Sequence, residues 1–129
     1  MGVNIIKKGT KMCQVDVSSV KVAEQDIIVW KVLHKRRAPF YFYSLNDMTS
    51  QPATGFDTKY GYHVCSTKKD AQEFKKAYLR DNDRIVIPRN VSIHRLVIPK
   101  GSKYVLGVTE SNCIGGGLPS IRCERLSKP

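Results

Sequence analysis

A chain of 129 residues has the length of one domain and can bury a core without disulfides or a structural metal. Its composition, 41% hydrophobic and 26% charged, excludes a low-complexity polymer, and no apolar run reaches the length of a signal peptide or a membrane span. Twenty-two Lys and Arg against eleven Asp and Glu leave a formal net charge of +11, which favours an anionic partner, although solubility alone also accounts for such an excess.

In chain order, residues 1–24 read as a partly ordered N-terminal arm, with Lys7, Lys8 and Lys11 around Gly9 and a short edge strand among Val15, Val17, Val20 and Val22. A single domain is expected over residues 25–129. Asp26 to His34, rich in β-branched and aromatic residues, predicts a central strand. His34-Lys35-Arg36-Arg37 follows, and Pro39 stops regular pairing before four consecutive aromatics, Phe40 to Tyr43, which suit a second strand. Residues 46–58 are rich in Ser, Thr, Asn, Asp, Pro and Gly and predict a long loop. Tyr60 to Cys65 predicts a strand with Tyr62 and Val64 on one face and His63 and Cys65 on the other.

One helix is clear. Thr67 is its cap, Asp70 completes a capping-box-like start, Ala71, Phe74, Ala77 and Tyr78 form the buried stripe, and Asn82 ends it. A short strand over Arg84 to Ile87 and a longer one over Val91 to Ile98 come next. Pro99-Lys100-Gly101 predicts a tight turn, with Tyr104 to Val108 returning as a hairpin partner. A glycine-rich loop, Cys113 to Pro119, leads to a closing strand over Ser120 to Leu126. The order predicts an α+β fold, a mostly antiparallel β-sheet with one main helix packed on a face.

Few residues carry chemistry in a recognisable pattern. Cys13, Cys65, Cys113 and Cys123 are scattered without a CxxC pair, so reduced buried thiols are expected, with no metal site and no cofactor. Gly115-Gly116-Gly117 lacks the spacing of a phosphate-binding motif and is expected to be a hairpin loop. His63 and Cys65 share a strand face, which is also what packing against a helix would give; no catalytic residue is assigned. The interleaving of basic and aromatic residues is the most suggestive feature, because aromatic faces stack on bases while Lys and Arg meet phosphates. It selects Lys35, Arg36, Arg37, Tyr41, Tyr43, Lys100, Lys103 and Tyr104 as the ligand-binding candidates.

Three segments carry a resemblance: Asp26-Ile-Ile-Val-Trp-Lys-Val-Leu, Gly61-Tyr-His-Val-Cys-Ser-Thr followed by Asp70-Ala, and Ile98-Pro-Lys-Gly-Ser-Lys-Tyr104. Together, over about residues 26–126, they resemble a group of small uncharacterised proteins of bacteriophages and gut Bacteroidales with VxKV, GFHxF and IPKGxxY segments. Tyr62 stands where the group commonly has Phe, and the basic 34–37 segment is a departure. The resemblance implies a fold and a phage origin, hence the host cytoplasm, but no activity. The strand-to-helix junction is also similar, more distantly, to ADP-ribosyltransferase-like folds, whose catalytic glutamate has no assigned position here.

The expected function is therefore binding of an anionic ligand, a nucleotide signal or a nucleic acid, with counter-defence as the setting. The alternatives are a nucleic-acid-contacting virion or host-takeover protein, an ADP-ribosyltransferase-like enzyme, and a docking module for an acidic host protein. No membrane partner is expected.

Overall fold

The computed structural model describes residues 14–38, 43–110, 113 and 116–129. In chain order it contains β1 (Gln14–Asp16), β2 (Lys21–Val22), β3 (Ile27–His34), helix α1 (Leu45–Ser50), β4 (Tyr62–Val64), helix α2 (Lys68–Asp81), β5 (Val91–Ile98), β6 (Lys103–Thr109) and β7 (Pro119–Cys123). The fold is α+β, mostly antiparallel, with one main helix. Its strands fall into two sheets rather than one.

The run of β-branched and apolar residues at 27–34 forms β3, which pairs along its whole length with β5, from Ile27 opposite Ile98 to His34 opposite Val91. This two-stranded ladder is covered on both faces, which is why it reads as a nearly continuous apolar run. One face gives Val29, Leu33, Leu96 and Ile98 to a core shared with Tyr62, Val64, Ile121 and Cys123. The other gives Val32 and Val91 to a second core with Ala71, Phe74 and Tyr78 of α2. Thr67 Oγ1 accepts from the Asp70 N–H at 3.0 Å, and Asn82 follows the last turn, so α2 starts and stops where its capping residues predict.

The larger sheet runs β6, β7, β4, with β1 and β2 both pairing antiparallel to β6 at its edge. The end of the arm thus contributes two short edge strands, while residues 1–13 lie outside the described residues. The strands β3 and β4 of the two sheets meet where Trp30 and Cys65 exchange backbone hydrogen bonds of 2.9 and 2.8 Å.

Several expectations are corrected. The hairpin between 91–98 and 104–108 does not form; β6 pairs with β7, β1 and β2 instead. The turn is present, with Gly101 at φ 89°, but the Gly101 N–H donates to the Ala23 carbonyl at 2.8 Å and the Ala23 N–H donates to the Ser102 carbonyl at 2.9 Å. Those bonds tie the turn to the β2–β3 connection and send β6 into the other sheet. Arg84 to Ile87 is not a strand, because the Ile85 and Val86 N–H groups both bond to the Asn82 carbonyl and only Val86 is buried.

The expected loop at 46–58 holds α1 and a single 3₁₀ turn at Phe56–Thr58. α1 is set by a capping box in which Ser44 Oγ accepts from the Asp47 N–H at 3.1 Å and the Asp47 carboxylate accepts from the Ser44 N–H at 3.2 Å. A second strand at 40–43 falls mostly on residues 39–42, outside the described residues, and Tyr43 is not in a strand. Cys113 is disulfide-bonded, contrary to the expectation of four reduced thiols, whereas Cys65 and Cys123 are free and buried. The Gly117 N–H is spent on the Thr109 carbonyl at 3.0 Å, closing the β6–β7 hairpin.

A buried cation on β7 clamps this sheet to its neighbours. Arg122 donates to the carbonyls of Phe56 and Tyr60 at 2.5 and 2.9 Å and to Asp16 Oδ2 at 3.0 Å, and its guanidinium lies 4.5 Å from the centre of the Phe56 ring. Burial alone would raise the Asp16 carboxyl; hydrogen bonds from Arg122 and Gln14 and the charges of Arg122 and Lys59 outweigh it and hold the group below 3.8. Replacing Arg122 with Met should cost about 3 kcal/mol in urea unfolding, because it removes a buried charged donor from two carbonyls and a carboxylate. A folded-state value below the unfolded one means that Asp16 adds stability above about pH 4 that is lost as pH falls through the lowered value. The stability gap between the native chain and Asp16→Asn should therefore narrow as urea melts are taken from pH 5 to pH 3; a constant gap would contradict this account.

Candidate functional site

The basic segment forms an unusual turn. His34 and Arg37 exchange backbone hydrogen bonds, N–H of His34 to the Arg37 carbonyl at 2.8 Å and the reverse at 3.1 Å, leaving Lys35 and Arg36 as a two-residue loop. Both sit in the left-handed region, with φ of 54° and 64°. Such turns ordinarily use Asn-Gly, because positive φ is unfavourable for residues with long side chains. The surrounding chain holds the conformation: the Lys35 N–H donates to the Asn90 carbonyl at 2.8 Å, and the Arg36 carbonyl accepts from the Leu45 N–H, the first of α1, at 3.1 Å. With the backbone occupied in this way, the Lys35 and Arg36 side chains project into solvent.

Other cationic and imidazole groups gather here. Arg37 and Arg89 are exposed, Arg89 lying beside the Asn90 that anchors the turn. His34 Nδ1 is in hydrogen-bond contact with the Tyr78 hydroxyl at 3.1 Å. His94 Nε2 lies 2.8 Å from Ser92 Oγ, and burial, then the charge of Arg36, holds the His94 imidazole below its usual value. Arg36 therefore stands close enough for its charge to be felt on the ladder.

The remaining sequence candidates do not join this cluster. Lys100 and Lys103 lie beyond Ile98, the opposite end of the β3–β5 ladder from the basic turn, so the two groups are about 20 Å apart along the strands. Acidic residues also lie near that end: Asp26 Oδ1 accepts from the Lys100 N–H at 2.9 Å and Glu124 Oε1 from the Lys103 N–H at 3.4 Å. Tyr104 is partly buried against the first core. Tyr43 packs edge-on against Tyr62, centroids 5.9 Å apart, as part of the same core rather than as a stacking platform. Tyr41 lies outside the described residues. Of the eight candidates, the structure brings together Lys35, Arg36 and Arg37.

Arg89 is a member that the sequence does not reveal, since nothing local links Pro88-Arg89-Asn90 to the turn at 34–37. A second such residue is Lys31. It reads as one charge in an apolar strand, yet it is only 7% exposed and its Nζ donates to the His63 carbonyl at 2.6 Å. Among the described residues it forms no ion pair. Past the Trp30–Cys65 junction β3 and β4 separate, and Lys31 fills the split.

Burial pulls the Lys31 amine down to about 8, only partly opposed by Cys65 and Cys123. Burial, then the Lys31 charge, pulls His63 down to about 3. The Cys65 and Cys123 thiols are pushed up to about 11 and 12, again by burial first, despite the Lys31 charge. A cavity of about 20 Å³ opens at the split, lined by Trp30, Val32, His63, Cys65 and Phe74 beside Lys31. That is room for about one water and not for a nucleotide.

His63 and Cys65 are thus neighbours without being an activated pair, because a buried thiol with a raised pKa supplies no thiolate. Among the described residues no cluster of three His, Cys, Asp or Glu is placed to hold a metal, and no helix is long and apolar enough to cross a membrane. Comparison with protein-family models, with curated proteins and with solved structures gave no match.

One consequence is directly measurable. In the folded protein at pH 8, Cys65 and Cys123 should resist a thiol reagent such as DTNB and react promptly once urea unfolds the chain; rapid reaction of either in the folded state would show that the split is open to solvent.

Proposed function

We propose that this chain binds the phosphate backbone of a nucleic acid through the basic turn at Lys35, Arg36 and Arg37, assisted by Arg89. The observation that carries the reading is the conformation of Lys35 and Arg36. Left-handed backbone at two long-chain residues costs roughly 1–2 kcal/mol at each. Asn-Gly would relieve it without altering the hairpin, so the cost is explained if the two side chains are retained for contact with a partner. The exposed cationic cluster and the net charge of +11 fit phosphate contact, since each phosphate neutralised releases condensed counterions.

A projecting turn suits a polymer that runs across it better than a free nucleotide, which would need an enclosing pocket. The resemblance to phage proteins supports a host-cytoplasmic setting for this activity, in which a phage-encoded factor meets host or phage nucleic acid.

The test separates stability from binding in one variant. Lys35→Asn combined with Arg36→Gly should raise stability to urea by roughly 1–2 kcal/mol. The same change should weaken binding of a short labelled single-stranded oligonucleotide. It should also reduce the slope of log affinity against log salt by about 0.7 for each phosphate that is no longer neutralised. Arg89→Gln should weaken binding with stability unchanged. Oligonucleotide affinity that is unmoved by either change, or absent at low salt in the native chain, would sink the reading.

A further inference from the structure

The cations of the basic turn can meet phosphates, but phosphate contact by itself does not distinguish a duplex from a single strand. A second feature lies against the turn and does. After α2 the chain runs through Arg84, Ile85, Val86 and Ile87 into the 3₁₀ turn Pro88–Asn90. Val86 is buried in the second core with Phe74 and Tyr78 of α2, while its two neighbours stay outside. Ile85 is 81% exposed and Ile87 44%, and among the described residues no large apolar side chain is more exposed than Ile85.

Backbone bonds hold these isoleucines beside the cations. The Ile87 carbonyl accepts from the Asn90 N–H at 2.9 Å, and the Asn90 carbonyl accepts from the Lys35 N–H at 2.8 Å. Two bonds in series through one residue keep the Ile87 backbone within about 10 Å of the Lys35 backbone. Arg84 and Arg89 bracket the segment; both are exposed, and among the described residues neither forms an ion pair. The carboxylates closest in sequence, Asp81 and Asp83, lie on the α2 side, where Asp81 pairs with Arg80 at 3.3 Å.

Single exposed apolar side chains are ordinary, but two within three residues at the rim of a cation cluster make a surface of mixed chemistry. Val86 alone anchors the connection, so the fold does not require its neighbours to be isoleucine. A complementary occupant offers anions and apolar faces side by side. In a duplex each base face is stacked on the next, and a side chain meets only phosphates and polar groove edges. In a single strand the base faces are open.

We propose, resting on the phosphate contact proposed for the basic turn, that the partner is a single strand whose unpaired bases lie on Ile85 and Ile87 while its phosphates meet Lys35, Arg36 and Arg89. The isoleucines supply the base contact that Tyr43, packed against Tyr62 in the first core, does not. Aliphatic surface covers a base face by excluding water and makes no hydrogen bond to a base edge, so the preference is for unpaired bases of any sequence.

The experiment compares the native full chain with the double variant Ile85→Ser, Ile87→Ser by fluorescence anisotropy. Three labelled probes of equal length are used: a single strand, the same strand annealed to its complement, and a strand with abasic sites throughout. Both substituted side chains are exposed, so the variant should keep the native urea midpoint. It should bind the single strand about tenfold more weakly, with its salt dependence unchanged. Its affinity for the duplex and for the abasic strand should equal that of the native chain. Equal affinity of the two proteins for the single strand would overturn the assignment and leave the isoleucines to a protein partner. Equal weakening on all three probes would overturn it as well, because the isoleucines would then support the turn without touching bases. The basic-turn reading fails separately, if Lys35→Asn with Arg36→Gly leaves every affinity intact whatever the isoleucines do. Absence of binding to all three probes at low salt overturns both.

Discussion

The eight-residue pairing of β3 with β5 is the constraint from which the rest of the molecule follows. Two strands alone cannot hold together in water, so both faces of the ladder must be covered. Helix α2 covers one face through Phe74 and Tyr78, and the larger sheet covers the other through Tyr62, Val64 and Ile121. These two coverings diverge on either side of the ladder, and β3 meets β4 through the backbone at Trp30 and Cys65. The split beyond that junction, the buried amine within it and the small cavity beside it are consequences of the geometry.

Charge is distributed in two different ways around this frame. Arg122 is buried, but it is held by Asp16, two carbonyls and a ring, so its cost is offset and it fastens β1 and the turn at 56–60 to β7. Lys31 is buried with one carbonyl and, among the described residues, no carboxylate. At the surface, Lys35 and Arg36 are supported by main-chain bonds from Asn90 and Leu45 while their own side chains stay in solvent. An arginine whose terminal nitrogens are spent on holding the fold is poor evidence of function; an exposed lysine or arginine that the fold supports at a cost is better evidence.

What was legible in the sequence was periodic and local. Helix α2, with its cap at Thr67 and stop at Asn82, follows from spacing that no distant contact overrides. The partition of Tyr62 and Val64 from Cys65 follows from strand alternation. The partner of β5 was not legible: Pro99-Lys100-Gly101 encodes a turn, but hydrogen bonds with Ala23, far back in the chain, decide where the chain goes after it. At 84–87 the residues have strand propensity, yet the carbonyl of Asn82 captures the N–H groups of Ile85 and Val86 first. At the site, the cluster of charge at 35–37 was visible as composition, whereas its left-handed backbone, the nearness of Arg89 and the separation from Lys100 and Lys103 depend on tertiary placement.

The ladder also sets the order in which the chain can assemble. β6 and β7 are neighbours joined by a short connection, and α2 is entirely local, so both can form early. β3 pairs with residues about sixty to seventy positions later, and closing so long a loop is an entropic cost that must be met before its contacts are gained. During synthesis β3 emerges from the ribosome well before β5 exists, with apolar side chains on both faces and no partner. The charged run Lys35-Arg36-Arg37 emerges immediately behind it, and its mutual repulsion between chains is placed where it can keep nascent copies of that strand apart until β5 arrives.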